Sequence, residues 1–290
     1  MNRIASRFLV TLSFVLASGA ALAQEAAAHR LDELMAKSGL DKQLARVAPD
    51  LNAGIEQQQT SPQEGDNAIL LSRDELARLK KAVDKSFHAD RLRQSCRKAF
   101  GETLSAEDQD KVLEWLNTDL GKRITAIEER GAMDSSSEGI AQRERAVKAF
   151  VAAATPGRID LGKRLAQATM SGEAVANMMI NMAVGIAYGV ALSTPPQDTS
   201  HVAAFRKRIE EQKPQAVAML RERIAADFAY DYRALPEDEF WRYVVFAESA
   251  VGRRSHKVSI QGIEKAFAEG SLELGMALGA MAPRRDRSRT

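Results

Sequence analysis

The stretch Leu104-Ser105-Ala106-Glu107-Asp108 is followed by a similar stretch, Leu235-Pro236-Glu237-Asp238-Glu239, at a sequence offset of 131. The same offset relates upstream hydrophobic residues, because Leu34 corresponds to Leu165. It also pairs residues that we interpret as structural: Leu104 with Leu235, Trp115 with Phe246, and Gly121 with Gly252. Glycine lowers helix stability, so we expect a steric role for both glycines, at a bend or a close backbone approach, with a backbone-lined ligand site as the alternative. A period of this length is that of a whole small helical domain. The offset therefore predicts two tandem homologous helical-bundle repeats.

Apolar residues are spaced as in helices along almost the whole chain, and we find no convincing strand. Leu76 and Val83, for example, fall on one face of a helix. The residues Ser72-Arg73-Asp74-Glu75 before them form a capping box, which marks the start of that helix. Ser105 is expected to cap a later helix, and Pro236 to occupy the first turn of its counterpart. The fold class is therefore predicted to be all-α.

These signals divide the chain into five segments. Polar and Pro-Gly breaks mark the boundaries between them. The predicted segments are a signal peptide at 1–23, a first helical repeat at 27–131, a connector at 132–156, a second helical repeat at 157–268, and a C-terminal apolar helix with a basic tail at 269–290.

The N-terminus has the pattern of a cleavable export signal. Arg3 and Arg7 precede an apolar stretch, and Ala21-Leu22-Ala23 forms an A-x-A site that predicts cleavage after Ala23. The apolar stretch is too short for a permanent membrane-spanning helix. The mature protein is therefore expected in a bacterial periplasm, without a stable transmembrane anchor.

Charge and cysteine content argue against nucleic-acid binding and against stabilisation by a disulfide. The signal carries two of the 41 basic residues and none of the 39 acidic ones, so the mature chain has a formal charge of zero. A neutral chain gives no support to nucleic-acid binding. Cys96 is the single cysteine, so no intramolecular disulfide is possible, and its place on an apolar stripe predicts a buried, unreactive thiol.

Each copy has the order leucine, two acidic residues, an aromatic residue, a hydroxyl residue, and a glycine with two basic residues. These are Leu104, Glu107, Asp108, Trp115, Thr118, Gly121, Lys122 and Arg123 in the first copy, and Leu235, Asp238, Glu239, Phe246, Ser249, Gly252, Arg253 and Arg254 in the second. The pattern resembles a bacterial exported helical family known as domain of unknown function 2059. The resemblance implies an α-helical periplasmic domain without established activity, and it transfers no catalytic residue. The chain departs from the family pattern in having no proline before either glycine.

Motifs that carry catalysis or bind metals are not found in the sequence. The four histidines are scattered, and neither H-E-x-x-H, nor G-x-S-x-G, nor a phosphate-binding glycine loop occurs. The acidic pair Glu128-Glu129 is expected to lie solvated at a helix end. We therefore predict a non-enzymatic protein with no catalytic residue, no metal and no cofactor. An unrecognised hydrolase is the minor alternative.

The segment Ala174–Leu192 is unusual because its nineteen residues carry no charge. It can be interpreted as a transmembrane helix, a copper(I) site of methionine thioethers, or a core helix surrounded by others. The equivalent stretch of the first copy contains Arg46, Asp50 and Glu56, which favours the core helix. A lipid groove and a subunit interface also stay open. The residues that would line such a groove are Met178, Met179, Met182 and Tyr188.

These patterns favour a protein-interaction or envelope-support module, whose partner is an unknown envelope protein or a second copy of the chain. The alternative is a carrier of an apolar ligand such as a lipid. A cavity lined by residues 174–192 would favour the carrier, whereas a filled core there would favour the interaction module.

Overall fold

The computed structural model describes residues 24–60, 71–130 and 137–281. All of the regular structure within these ranges is helical and none is strand, so the prediction of an all-α fold is confirmed. The predicted signal peptide and the predicted basic tail fall on residues 1–23 and 282–290, which lie outside the described ranges.

The helices form two series along the chain. The first series is α1 (24–37), α2 (Leu40–Thr60), α3 (Arg73–Ser86), α4 (Ala89–Thr103), α5 (Ala106–Asn117), α6 (Asp119–Arg130) and α7 (Ser137–Ala153). The second is α8 (Pro156–Ala168), α9 (Ser171–Ser193), α10 (Ser200–Asp231), a 3-10 turn (Tyr232–Ala234), α11 (Glu237–Glu248) and α12 (Ala250–Met281).

The predicted helix starts are explained by local hydrogen bonds. The Glu75 amide donates to Ser72 Oγ (3.3 Å) and the Ser72 amide donates to Glu75 Oε2 (2.8 Å), so the capping box is confirmed. Ser105 caps α5 by accepting from the Asp108 amide (3.1 Å). Pro236 lies one residue earlier than predicted, at the cap of α11, where its extended backbone suits the residue that precedes a helix.

The offset of 131 recurs in the turns after α5 and α11. Thr118 and Ser249 each donate their hydroxyl to a carbonyl of the preceding helix and accept from the amide of Gly121 or Gly252. A Cβ at Gly121 would lie 2.2 Å from the Trp115 carbonyl oxygen, and one at Gly252 would lie 2.1 Å from that of Phe246. The predicted steric role of both glycines is thus confirmed, because no larger residue fits these turns.

The turns after α1 and α8 also correspond. Gly39 has φ of 73°, and Met170, at the same offset, has φ of 50°. The amides of Ser38 and Thr169 bond to the carbonyls of Leu34 and Leu165 in both turns. The starts of α2, α5 and α6 and these turns therefore follow one offset. In contrast, α10 is continuous where the first half has the break between α3 and α4, and tandem duplication itself stays an interpretation of the offset.

Each series contributes one helix to a core cluster of the other series, and we call this arrangement the exchange of helices. Leu120 and Ile124 of α6 lie in a core cluster formed by α8, α11 and the 3-10 turn. In return, Val258 and Phe267 of α12 lie in the core cluster of α2, α3 and α4. Each half thus contains a core that the other half completes.

Two ion pairs connect the two halves next to these core contacts. Arg123 on α6 donates to Glu239 on α11 (2.6 Å), and Arg254 on α12 donates to both carboxylate oxygens of Asp108 on α5 (2.6 and 2.9 Å). At the offset of 131, Arg123 corresponds to Arg254 and Asp108 corresponds to Glu239. The contacts between the halves therefore have approximate two-fold symmetry, in which the same patch serves both sides.

The aromatic residue of each copy marks the position of this approximate axis. Trp115 and Phe246 are equivalent, and their rings stack on one another with centroids 4.4 Å apart and planes within 9° of parallel. Equivalent residues that contact each other lie on a two-fold axis. The approximate axis therefore passes between these two rings.

The predicted boundary between residues 268 and 269 is wrong, because α12 runs without a break from Ala250 to Met281. Its C-terminal half does not form a separate apolar helix, since Gly270 and Gly275 let it pack closely along α3 and α9. Burial of the whole length against these helices compensates for the low helical propensity of the glycines.

Helix α9 also differs from the prediction of a core helix surrounded by others. Within the described ranges it alone is long and apolar enough to cross a membrane, a test that core helices of soluble proteins also pass. Only 22% of its apolar window is buried. It packs on α10 and α12 and leaves another side uncovered. The expected lack of a membrane anchor stays a prediction.

We expect Gly275→Ala to destabilise the protein by about 1–3 kcal/mol, because the new methyl group overpacks a filled helix contact. Its Cβ would lie 2.2 Å from the Ile186 carbonyl oxygen, so α9 and α12 must separate. Urea unfolding followed by circular dichroism measures the change.

Gly54→Ala is the matched control, since Gly54 lies inside α2 and a Cβ there meets nothing within 4 Å. This variant should be stabilised by about 0.5–1 kcal/mol through helix propensity alone. Equal stability of Gly275→Ala and the wild type would contradict the close packing of α12 on α9.

Candidate ligand-binding cavity

The four residues predicted to line a groove on α9 do not come together. Met178 and Met182 are partly buried against the core cluster of α2, α3, α4 and α12. Met179 and Tyr188 are 56% and 42% exposed and, at nine residues apart, lie on opposite sides of the helix. None of the four lines either of the two cavities that follow. Neither of these two cavities therefore corresponds to the predicted groove.

A cavity of about 490 Å³ lies between the two halves. Its wall contains several pairs of residues related by the offset of 131: Ser38 with Thr169, Val112 with Tyr243, Trp115 with Phe246, Thr125 with His256, and Glu128 with Ser259. The cavity thus lies on the approximate two-fold axis. Its volume falls within the range of about 300–1,000 Å³ that is typical of small-molecule sites.

One wall of the cavity is a continuous series of aromatic rings. Trp115 stacks on Phe246, and its ring centroid also lies 6.3 Å from that of Tyr243, with the two ring planes nearly parallel. Tyr243 meets Tyr232 edge to face at 5.4 Å. Leu34, Leu116 and Ile263 are among the aliphatic side chains elsewhere in the lining. The surface offered to a ligand is therefore mainly apolar, and its aromatic part is rigid.

Glu128, on α6, is the acidic side chain of this lining. The hydroxyls of Tyr232 and Tyr243 both donate to its Oε1, at 2.6 and 2.9 Å. Burial raises the pKa of Glu128, and the two hydrogen bonds oppose this effect only in part. Burial also raises the pKa of both tyrosines well above the ordinary value, and the nearby carboxylate adds to the effect, so both stay protonated donors.

His256, on α12, is the second buried titratable group of the lining. Burial lowers its pKa to about 4, so the imidazole is neutral at pH 7. Its Nε2 has no hydrogen-bond partner among the described residues. The equivalent Thr125 is satisfied, because its hydroxyl donates to the Lys37 carbonyl (3.1 Å). Glu128 and His256 are surrounded by protein yet keep some accessible surface, which faces the cavity.

The prediction that Glu128 is solvated is therefore wrong, although its neighbour Glu129 does pair with Lys42 near the surface (2.8 Å). Sequence reasoning also missed His256. No local signal distinguishes either residue, because the groups around Glu128 come from the other half of the chain. The aromatic and glycine residues of the repeat did point to this region, since Trp115, Phe246 and Gly121 all line the cavity.

A second cavity, of about 640 Å³, lies between α7 and α10. Four of its charged side chains pair across it, Arg143 with Asp227 and Arg223 with Glu144. Within the described ranges no group of three or more His, Cys, Asp or Glu side chains is placed to hold a metal ion. Cys96 is buried with its pKa raised to about 12 by burial, which confirms the prediction of an unreactive thiol.

No family model, no curated protein and no solved structure matches the chain. The resemblance to domain of unknown function 2059 stays a prediction.

We expect His256→Gln to reduce the acid sensitivity of the fold. Between pH 6.5 and about 4 the unfolded imidazole binds a proton while the folded one does not, so stability is present above pH 6.5 and falls as the pH is lowered. At pH 4.5 this effect amounts to about 2–3 kcal/mol in the wild type. Urea unfolding at pH 7 and pH 4.5 measures it.

The control for this experiment is His88→Gln, which removes an imidazole whose side chain is 64% exposed. That variant should lose as much stability on acidification as the wild type. A His256→Gln variant with the wild-type acid response would contradict the burial of a neutral imidazole.

Proposed function

We propose that this chain is a non-enzymatic binding protein that holds a small, mainly apolar ligand in the cavity between its two halves. The observation that carries the proposal is the cavity of about 490 Å³ with an aromatic wall and a few polar groups. Such a combination is typical of small-molecule sites, where apolar area supplies affinity and polar groups orient the ligand. The carrier site is thereby assigned to the axis, where α9 contributes Ala174 and Val175 to the lining but none of the four residues first expected to bind the ligand.

Binding is favoured over hydrolysis by the hydrogen bonds of the lining. A hydroxyl nucleophile needs a base within hydrogen-bonding reach. Ser259 instead donates its hydroxyl to the Ser255 carbonyl (3.0 Å), and Thr169 donates to the Leu165 carbonyl (2.8 Å). His256 Nε2 contacts no hydroxyl among the described residues. These groups support ligand recognition more than acyl transfer.

The proposal includes the location and origin inferred from the sequence. The export signal at residues 1–23 and cleavage after Ala23 would place the binding protein in the periplasm. Two tandem copies of one helical unit would give a site at their shared axis. A ligand reaching this site would be a small molecule of the cell envelope.

A second candidate function is docking of another protein on α9. Tyr188 and Leu192 are exposed by 42% and 37% and lie one turn apart on the same side of the helix. Met276 of the adjacent α12 is 46% exposed. Exposed apolar side chains of this kind are common at protein interfaces.

Binding of the neutral fluorescent probe N-phenyl-1-naphthylamine tests the first function. We expect one probe per chain, with energy transfer from Trp115 because that ring lines the cavity. Ala174→Phe should weaken binding by about tenfold or more, since the added ring occupies cavity volume that a ligand needs.

Ala203→Phe is the matched control, because it adds the same ring at an exposed position of α10 and should leave the dissociation constant unchanged. Equal affinity of the two variants, or the absence of saturable binding by the wild type, would overturn the proposed function.

A further inference from the structure

The carboxyl group of Glu128 is only half satisfied by the protein. A carboxylate offers about four acceptor positions on its two oxygens. Both tyrosine hydroxyls donate to the same oxygen, Oε1. Oε2 accepts no hydrogen bond from any described residue, and the side chain keeps accessible surface in the cavity. Glu128 thus presents an open acceptor to whatever occupies the cavity.

The cavity also has no positive group to balance this carboxylate. Among its lining residues, all within the described ranges, there is neither a lysine nor an arginine. Its other titratable side chains are Tyr232, Tyr243 and His256, each of which is neutral at pH 7. Neighbouring carboxylates are paired elsewhere, as Glu129 is with Lys42. A buried carboxylate without a counter-charge is unfavourable, and a ligand that brings one is favoured.

The aromatic rings around Glu128 are also compatible with a positively charged ligand. Tyr232 and Tyr243 contact the carboxyl group through their hydroxyls, and Trp115 lies parallel to Tyr243. The face of an aromatic ring is electron-rich and attracts cations, most strongly in a site from which water is excluded. An anionic ligand would meet repulsion from the carboxylate, whereas a cation would be attracted to it.

We propose that the ligand of this cavity is a protonated amine on an apolar body, with its ammonium group donating to Glu128 Oε2. The inference rests on the proposed function and names the ligand class of that site. The ammonium N–H groups fill the open acceptor and the positive charge supplies the missing counter-ion. The apolar body lies along the aliphatic side of the cavity, which includes Leu34, Leu116 and Ile263. Burial raises the pKa of Glu128, and an ammonium group beside the carboxylate would lower this pKa again.

Three probes that share one apolar body and differ in charge test the inference: 3-phenylpropylamine, 3-phenylpropanol and 3-phenylpropionate. Binding is measured by isothermal titration calorimetry and by Trp115 fluorescence in a Trp241→Phe background, since Trp241 is exposed and would add an unrelated signal. The amine is expected to bind at least about tenfold more tightly than the alcohol, and the carboxylate more weakly than both.

Glu128→Gln should abolish this preference, because the amide oxygen still accepts from both tyrosines but the negative charge that pairs with the ammonium group is removed. Glu129→Gln is the matched control, since it removes an adjacent carboxylate that pairs with Lys42 outside the cavity. This variant should keep the wild-type preference for the amine. The affinity for the alcohol also reports whether each variant retains its fold.

Equal binding of amine and alcohol by the wild type, tighter binding of the carboxylate, or an amine preference that survives Glu128→Gln would each overturn the inference. The wild-type comparison needs no variant and stands if Glu128→Gln fails to fold. If none of the three probes binds, the inference fails as well, and saturable binding of N-phenyl-1-naphthylamine then decides separately whether the cavity binds ligands at all.

Discussion

The rest of this structure depends on the close approach of Gly121 and Gly252 to a carbonyl oxygen of the preceding helix, that of Trp115 or Phe246. At Gly121 and Gly252 the chain turns so tightly that a methyl group has no room. After these turns α6 packs in the core of the second half, and α12 packs in the core of the first half as well as along α9 of its own half. Both helices then contribute to the wall of the axial cavity.

The features that the sequence could predict are those specified by neighbouring residues. Helical spacing, the capping box at Ser72, the cap at Ser105 and the close approach at Gly121 each depend on contacts within a few residues. Such contacts leave a readable pattern because the backbone must be satisfied locally wherever a helix begins. The all-α fold follows from the sum of these patterns.

The site could not be predicted, because its residues are brought together only by the exchange of helices. Glu128 stands beside Glu129 in a polar stretch, yet one is buried against two tyrosines and the other pairs with a lysine near the surface. The exposure of α9 could not be predicted either, because an apolar sequence is compatible both with a buried core helix and with a helix that has an exposed side. Continuity of α12 past residue 268 depends on its packing along α3 and α9, which no local pattern specifies.

The two halves use equivalent positions of the cavity for different chemistry. Glu128 corresponds to Ser259, and Thr125 corresponds to His256. A strictly symmetric cavity on a two-fold axis would present every polar group twice, whereas this one presents a single acid and a single imidazole. The site can therefore hold an asymmetric ligand in one orientation, although its framework follows an approximate two-fold symmetry.

The exchange of helices also sets the order in which the molecule can be completed. The core of the first half includes Val258, Phe267 and Leu274, which are synthesised long after most of the side chains that they cover. A chain that emerges from its N-terminus must therefore keep part of that core open until α12 arrives. Contacts so distant in sequence slow folding and lengthen the time during which apolar surface is exposed. A core begun early in synthesis is thus closed only by a helix that is made much later.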